Sequence, residues 1–206
     1  MPSLKSLTRL MFALSLAGGA ALAATATVGQ AAPSFSATDA SGKAVSLADL
    51  KGKTVVLEWV NPECPYVRKH YDSANMQATQ KAATGKAVVW LSVNSTHAGH
   101  EDFKKPAEML AWAQKQGAAP TATLMDGEGK IGRAYGARTT PHMVVIDAKG
   151  TLVYAGGIDD KPSANPADVK TAKNYVNAAL ADVLAGKPVA QAVTRAYGCS
   201  VKYSDG

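Results

Sequence analysis

The sequence predicts an α/β fold: a central mixed sheet flanked by helices, followed by a C-terminal tail. Three observations point to it. Two runs rich in β-branched and aromatic residues, 54–60 and 87–93, have the length of buried strands. Each precedes a segment of helical periodicity. A hairpin pattern, 142–147 and 151–154 around Ala148-Lys149-Gly150, comes after them. Strand–helix alternation ending in an antiparallel pair describes a sheet with helices on both faces.

Residues 1–26 place Lys5 and Arg9 ahead of an apolar run at 10–24. That run is shorter than the ~20 residues of a membrane-spanning helix. The small-residue patterns Ala21-Leu22-Ala23 and Ala24-Thr25-Ala26 follow it, so the segment reads as a signal peptide cleaved between residues 23 and 32. The protein is expected to be exported, to the periplasm if its host is bacterial, with no membrane segment in the mature form. One domain is expected over 33–186, and 187–206 form a tail.

Within that domain, turn signals at 39–43 and at Lys51-Gly52-Lys53 lead into the first strand. Val67, Tyr71, Ala74, Ala78 and Ala82 predict a helix over 66–83, closed by Gly85. After the second strand comes a polar loop with His97 and His100. A helix then starts near Pro106, with Met109, Leu110 and Ala113 facing the core and Gly117 as its stop. A short strand at 121–124, the turn Asp126-Gly127-Glu128-Gly129 and a short helix at 131–135 precede Thr139-Thr140-Pro141. The last helix is expected over 168–184.

The formal charge of +6 falls to +4 once Lys5 and Arg9 are removed with the leader. The basic residues are scattered, without the blocks and interleaved aromatics of a nucleic-acid surface. Two cysteines in an exported chain are more informative. An oxidising compartment favours a disulfide, and Cys64 and Cys199 are the available pair.

Cys64 lies in Asn61-Pro62-Glu63-Cys64-Pro65-Tyr66-Val67, between a buried strand and a helix. Proline favours the first helical position, so Pro65 puts Cys64 at the cap. Unpaired N–H groups and the helix dipole there favour a thiolate, the reactive form. The same cysteine could instead be a small buried residue or half of an inert disulfide.

The strand–loop–Cys-Pro–helix unit, with Thr140-Pro141 before a later strand, resembles the thioredoxin superfamily, in its redoxin and peroxiredoxin-like (AhpC/TSA-type) branch. Asn61 to Val67 and the tail Tyr197-Gly198-Cys199-Ser200-Val201-Lys202-Tyr203 are similar to one peroxiredoxin-like subgroup with a terminal Gly-Cys motif. The likeness covers residues 33–184. It implies a thioredoxin-like fold and a thiol-dependent oxidoreductase of antioxidant type that needs no cofactor. Cys64 would attack a peroxide or a protein disulfide, Cys199 would resolve the product, and a thiol reductant protein would reset the pair.

By the same resemblance Pro141 would be a cis-proline in the substrate groove, leaving a backbone edge free for a partner's extended segment, with Pro65 and Thr140 beside it. Glu58, six residues before Cys64, would shuttle protons for the thiols. Arg138 could bind an oxygen-bearing substrate or favour the thiolate. Glu63 would oppose the thiolate by repulsion if close.

Two positions depart from better-known relatives. Val67 stands where thioredoxins carry their second cysteine, and Asn61 stands where peroxiredoxins carry a threonine. Three other readings remain open. A Cys64–Cys199 staple would stabilise by ~2–4 kcal/mol without catalysis. A non-catalytic binding module would keep the fold alone. Copper handling would draw on Cys64, His70, His142 and Met143. Asn94-Ser95-Thr96 also matches an N-glycosylation triplet.

Overall fold

The computed structural model describes residues 26–204. Its core is a five-stranded mixed sheet built from β3 (Val55–Trp59), β4 (Val89–Asn94), β5 (Ala122–Met125), β7 (His142–Ile146) and β8 (Leu152–Gly156). The spatial order is β5-β4-β3-β7-β8, with β3, β4 and β5 parallel and β7 antiparallel to both β3 and β8. Around it stand α1 (Pro65–Asp72), α2 (Asn75–Thr84), α3 (Pro106–Lys115), α4 (Lys130–Ala134) and α5 (Tyr175–Leu184). A hairpin of β1 (Ser36–Thr38) and β2 (Ala44–Ser46) precedes the sheet. Two short strands, β6 (Thr139–Thr140) and β9 (Cys199–Ser200), form a separate antiparallel pair.

Both faces of the sheet are covered, which is why β3 and β4 read as continuous apolar runs instead of alternating ones. On one face Val56, Trp90, Met143 and Val145 pack with Val67, Tyr71, Met76, Met109, Val176 and Leu180 from the helices. On the other, Leu57, Trp59, Leu91 and Val144 meet Ile131 and Tyr135, with Phe35, Val45 and Leu47 packed against them. Both sheet edges are closed. Asp39 and Ala40 of the β1–β2 turn join β5, and the chain at 192–194 pairs with Ala155 of β8, leaving no exposed row of strand hydrogen-bonding groups there.

Four expectations change. The helix expected over 66–83 is two helices, broken at Ala74, whose φ of 58° is left-handed. That backbone costs about 1–2 kcal/mol in an L-residue. Periodicity cannot mark the break, because Ala74 sits on the same apolar spacing as its neighbours. Met109 faces the core as expected, but Leu110 is 43% exposed and Trp112 packs against the core in its place. The segment Pro166–Thr171 is a 3-10 turn, and α5 begins at Tyr175 because the Asn174 side chain caps it, accepting from the Asn177 N–H. Finally, residues 26–32 belong to the folded unit: Gly29 N–H donates to Leu152 O and Ala32 N–H to Gly150 O.

Apart from Ala26, the expected signal peptide lies outside the described residues. Among the described residues no helix is long and apolar enough to cross a membrane. The glycosylation triplet is buried throughout. Asn94 donates to Val60 O and accepts from Thr96 N–H, so its amide is committed inside the fold.

Candidate active site

The loop between β3 and α1 is tied locally before it meets the rest of the chain. Asn61 accepts from the Glu63 N–H and donates to Asp102 at 2.8 Å, while Cys64 N–H donates to Asn61 O. Cys64 is the N-cap of α1 and Pro65 its first residue, as the sequence predicts. Glu63 does not bring an uncompensated charge to the thiol, because Arg68 lies 2.5 Å and Lys104 2.9 Å from its carboxylate. Asn61 is fully used in shaping the loop.

Cys64 is only 2% exposed, and its thiol donates to the Thr140 carbonyl at 3.0 Å. The Thr140-Pro141 bond is cis. The backbone edge beside this proline, expected to be free, is filled by the protein's own tail. Thr140 pairs with Cys199 and Thr139 with Ser200, so the second cysteine is delivered directly opposite the carbonyl that holds the first. Cys199 is partly exposed. Its thiol is pushed up to about 12, chiefly by burial, then by its hydrogen bond to and electrostatic interaction with Cys64. The Tyr66 N–H, in the first turn of α1, lies close enough to the Cys199 sulfur to oppose that rise. The sequence places the helix terminus beside Cys64 and gives no sign that the tail brings Cys199 to the same turn.

The tail crosses the site as a strap fastened at both ends. Before the cysteine, Tyr197 donates to Asp159, lies edge-on to Tyr66, and receives Lys69 Nζ at 3.2 Å and His70 Nε2 at 3.1 Å. Lys69 and Asp159 form a buried ion pair at 3.4 Å. Next comes Gly198, with φ of 139°, where an added Cβ would lie 2.7 Å from the Thr140 carbonyl carbon and closer still to its oxygen. Only a glycine lets the strap approach this closely. Beyond the cysteine, Val201 N–H donates to Arg138 O and His97 N–H to Lys202 O. Tyr203 then lies over Gly129 and Gly132, donates to Ala137 O at 2.7 Å, and takes Arg133 against its ring at 4.6 Å. A hollow of about 420 Å³ borders the strap, lined in part by Tyr66, Asp160, Tyr175, Arg195 and Gly198.

Glu58 is buried and accepts four hydrogen bonds: from Tyr71 at 2.8 Å, Trp90 at 2.7 Å, Gln80 at 3.0 Å and Ser92 at 3.1 Å. Burial raises its pKa, the donors opposing it. None of its hydrogen bonds goes to a sulfur. The Arg138 side chain is exposed, and the contact this residue makes with the strap is through its carbonyl.

The copper-ligand candidates do not converge. His70 is held by Tyr197 and Asn75, and His142 and Met143 point to opposite faces of the sheet. Among the described residues no three His, Cys, Asp or Glu side chains form a metal cluster. His142 meets Trp59 edge-on with both ring nitrogens unpaired, and burial lowers its pKa to about 4. Sequence reasoning missed Lys69, Asp159 and the two tail tyrosines as parts of the site. The signal for the tyrosines was their place in the tail motif, Tyr197 just before Gly198-Cys199 and Tyr203 four residues after it.

A mixed sheet flanked by helices, with two thiols meeting at a cis-proline, defines a thioredoxin-superfamily protein of the redoxin type. The sequence matches the AhpC/TSA family over residues 28–155, more than half its length, and the chain belongs to that family. It is 27% identical over 115 residues to a thiol-disulfide oxidoreductase ResA of Bacillus cereus, covering 50% of this chain and 66% of that relative. ResA of Bacillus thuringiensis subsp. konkukian is 27% identical over 126 residues, 61% of this chain and 67% of that one. Among solved structures, an uncharacterized conserved protein from Geobacillus kaustophilus superposes with a TM-score of 0.73 at 26% identity, covering 87% of this chain and 94% of that one. The thioredoxin domain of a thiol-disulfide oxidoreductase from Bacteroides vulgatus shares the fold, with a TM-score of 0.51 at 21% identity, over 71% of this chain and 98% of that one.

Proposed function

We propose that the protein is an exported thiol oxidoreductase whose redox centre is the Cys64/Cys199 pair. The observation that carries this reading is the pairing of Thr140 with Cys199 while Thr140 O holds the Cys64 thiol, which sets the two sulfurs against each other. Cys64 attacks the oxidant and Cys199 resolves the product. With a disulfide as oxidant, Cys64 forms a mixed disulfide and expels one thiolate; Cys199 then attacks Cys64, forms the internal bond and expels the second. Two electrons leave the protein, and its two thiol protons end on the two products. An external thiol reverses the change.

The names of the curated relatives support a disulfide as oxidant. A second reading, peroxide, is favoured by the burial of Cys64, which is 2% exposed and so suits a small oxidant. Peroxide would leave Cys64 as a sulfenic acid, which Cys199 converts to the same internal disulfide with loss of water.

In either reading Pro141 and Pro65 shape the wall around Cys64, Thr140 holds its sulfur, and Glu58 tunes the buried face of the sheet below. Thiol trapping in graded redox buffers, with peroxide consumption measured alongside, tests the proposal. A readily reduced Cys64–Cys199 bond is expected. A potential below about −300 mV without peroxide consumption would make the bond a structural staple and end the enzyme reading.

A further inference from the structure

We infer that the pole of the molecule opposite the two cysteines is a docking surface for an anionic phospholipid bilayer, on which the protein sits with its thiol face turned outward. No residue of the redox pair takes part, so the docking stands or falls apart from the redox reading.

The strands set the two poles. β3 runs from Val55 to Trp59 toward Cys64, and β7 runs from His142, next to Pro141, to Ile146 beside Val55. At about 3.3 Å per residue, these strands hold the thiols and the far pole about 15 Å apart or more. The turns at the far pole meet one another: Gly52 N–H donates to Ala148 O, and Val89 N–H to Thr54 O.

Into these turns the fold collects lysines that lie far apart in the sequence. Lys51 and Lys53 lead into β3, Lys86 precedes β4, Lys149 lies in the β7–β8 turn and Lys187 follows α5. All five are exposed, and among the described residues none of their ammonium groups has a hydrogen bond or an ion pair. Asp147 is the one acid lining the hollows at this pole, and its carboxylate is taken by the N–H groups of Lys149 and Thr151. Five lysines and one aspartate carry +4, the whole formal charge left once Lys5 and Arg9 are removed, so the rest of the molecule is formally neutral. Charge gathered at one end steers that end toward an anionic surface.

The ground between the lysines is apolar. A hollow of about 380 Å³ has Leu47, Leu50 and Val55 in its lining together with Lys51, Lys53 and Lys149. Its neighbour, of about 350 Å³, has Val153, Val183 and Val189 together with Lys149 and Lys187. Leu184, 42% exposed, closes α5 just before Lys187. Lysine stems can lie along such a surface while their ammonium groups reach headgroup phosphates, and a basic, partly apolar face is what a peripheral protein presents to an anionic leaflet. Neither hollow has an aromatic residue or an arginine in its lining, the side chains a nucleic acid would use. Ammonium groups without fixed hydrogen-bond partners suit a diffuse layer of headgroup charge better than the fixed contacts of an acidic protein.

Mature protein is sedimented with vesicles of phosphatidylcholine alone, and of phosphatidylcholine and phosphatidylglycerol in equal parts. Binding to the anionic vesicles alone, weakening as salt rises from about 0.05 to about 0.5 M, is expected. A lysine close to an anionic leaflet is worth about fivefold in partitioning. Alanine at Lys51, Lys53, Lys149 and Lys187 together should therefore weaken binding on the order of 10²-fold, and arginine at the same four positions should keep it. An equal loss of charge at Lys105, Lys130, Lys170 and Lys173, none of which lines either hollow, should leave it within about threefold. Wild-type protein that ignores anionic vesicles, or alanine variants that lose binding equally, overturns the assignment. So does binding to polyglutamate or single-stranded DNA without binding to vesicles.

If the alanine variant at the pole does not fold by circular dichroism, acetylation of the wild-type protein decides. On anionic vesicles Lys51, Lys53, Lys149 and Lys187 should be shielded and Lys105 and Lys130 should not, while maleimide reaches the partly exposed Cys199 of the reduced protein as fast as in solution. Uniform shielding, or a slowed Cys199, overturns the docking pole.

Discussion

Replacing Gly198 by alanine tests whether the strap is what brings the two sulfurs together. The new Cβ would stand 2.7 Å from the Thr140 carbonyl carbon and 3.3 Å from Pro141 N. Carbon atoms in contact rest at about 3.5–4.0 Å, so the strap must retreat by about 1 Å. The obstacle is backbone, at Thr140 and Pro141, not a side chain that can swing aside. The φ of 139° adds strain for any residue with a Cβ. A misplacement of about 1 Å between reacting groups costs on the order of 10²-fold in rate.

The effective concentration of Cys199 toward Cys64, measured by equilibrating the variant in glutathione buffers and trapping thiols, should fall by about that factor, on the order of 10². Ser200→Ala, at an exposed neighbouring position, should leave it unchanged. An unaltered value in Gly198→Ala, with the fold intact by circular dichroism, would refute the claim that close packing of the strap on Thr140 sets the geometry of the pair.

Other perturbations read other parts of the molecule. Glu58→Ala would leave the Trp90, Ser92, Gln80 and Tyr71 donors buried without their acceptor. At ~1–3 kcal/mol for each orphaned group, some relieved by repacking, a loss of about 3–6 kcal/mol in urea unfolding is expected. Glu58→Gln keeps an acceptor for three donors while the Tyr71 hydroxyl turns, so its loss should stay below about 2 kcal/mol. If Glu58 serves the thiols by proton transfer, the glutamine variant should still slow disulfide formation and shift its pH profile.

Gly132→Ala puts a Cβ 2.8 Å from Tyr203 Cε1 and should unseat that tyrosine. Maleimide should then reach Cys64 faster, and an unchanged rate would deny the far fastening any part in covering it. His142, with its pKa lowered to about 4 by burial, favours the fold while neutral. Its contribution is present above the unfolded value near 6.5 and is lost as pH falls toward 4. His142→Phe should therefore flatten the fall in unfolding free energy, measured by urea titration, between pH 6.5 and pH 4 by about 2 kcal/mol, with His70, lowered to about 4 mainly by burial, supplying part of the slope that remains.

The parts of this architecture that were legible in the sequence are those set by local chemistry. Val55 to Trp59 and Val89 to Asn94 announce buried strands because both faces of the sheet are covered and every residue is apolar or internally paired. Pro65 announces the helix start and so the position of Cys64. Thr140-Pro141 is cis, as the resemblance implies.

What was not legible depends on groups distant in sequence that meet only after folding. Lys69 looks like a solvent-facing helical lysine until Asp159 and Tyr197 reach it from the far end of the chain. The left-handed Ala74 is hidden because alanine is a strong helix former on the apolar spacing; the only local sign of a break is its neighbours Asp72, Ser73 and Asn75, which favour caps and turns. The pairing of β6 with β9 involves two residues on each side, too few for any periodic signal. That short pairing decides which edge of the site is closed.

The buried Asn94 triplet has a consequence for making the protein. In a eukaryotic secretory pathway the sequon is presented while the chain is still unfolded, when Asn94, Ser95 and Thr96 are as open as any other residues. A glycan attached then would ride on a side chain that must later lie 1% exposed at the end of β4, against Val60 O. The sugar and the native strand cannot share that space. Chains glycosylated at Asn94 would be diverted from folding, whereas production in the bacterial cytoplasm or periplasm avoids the conflict.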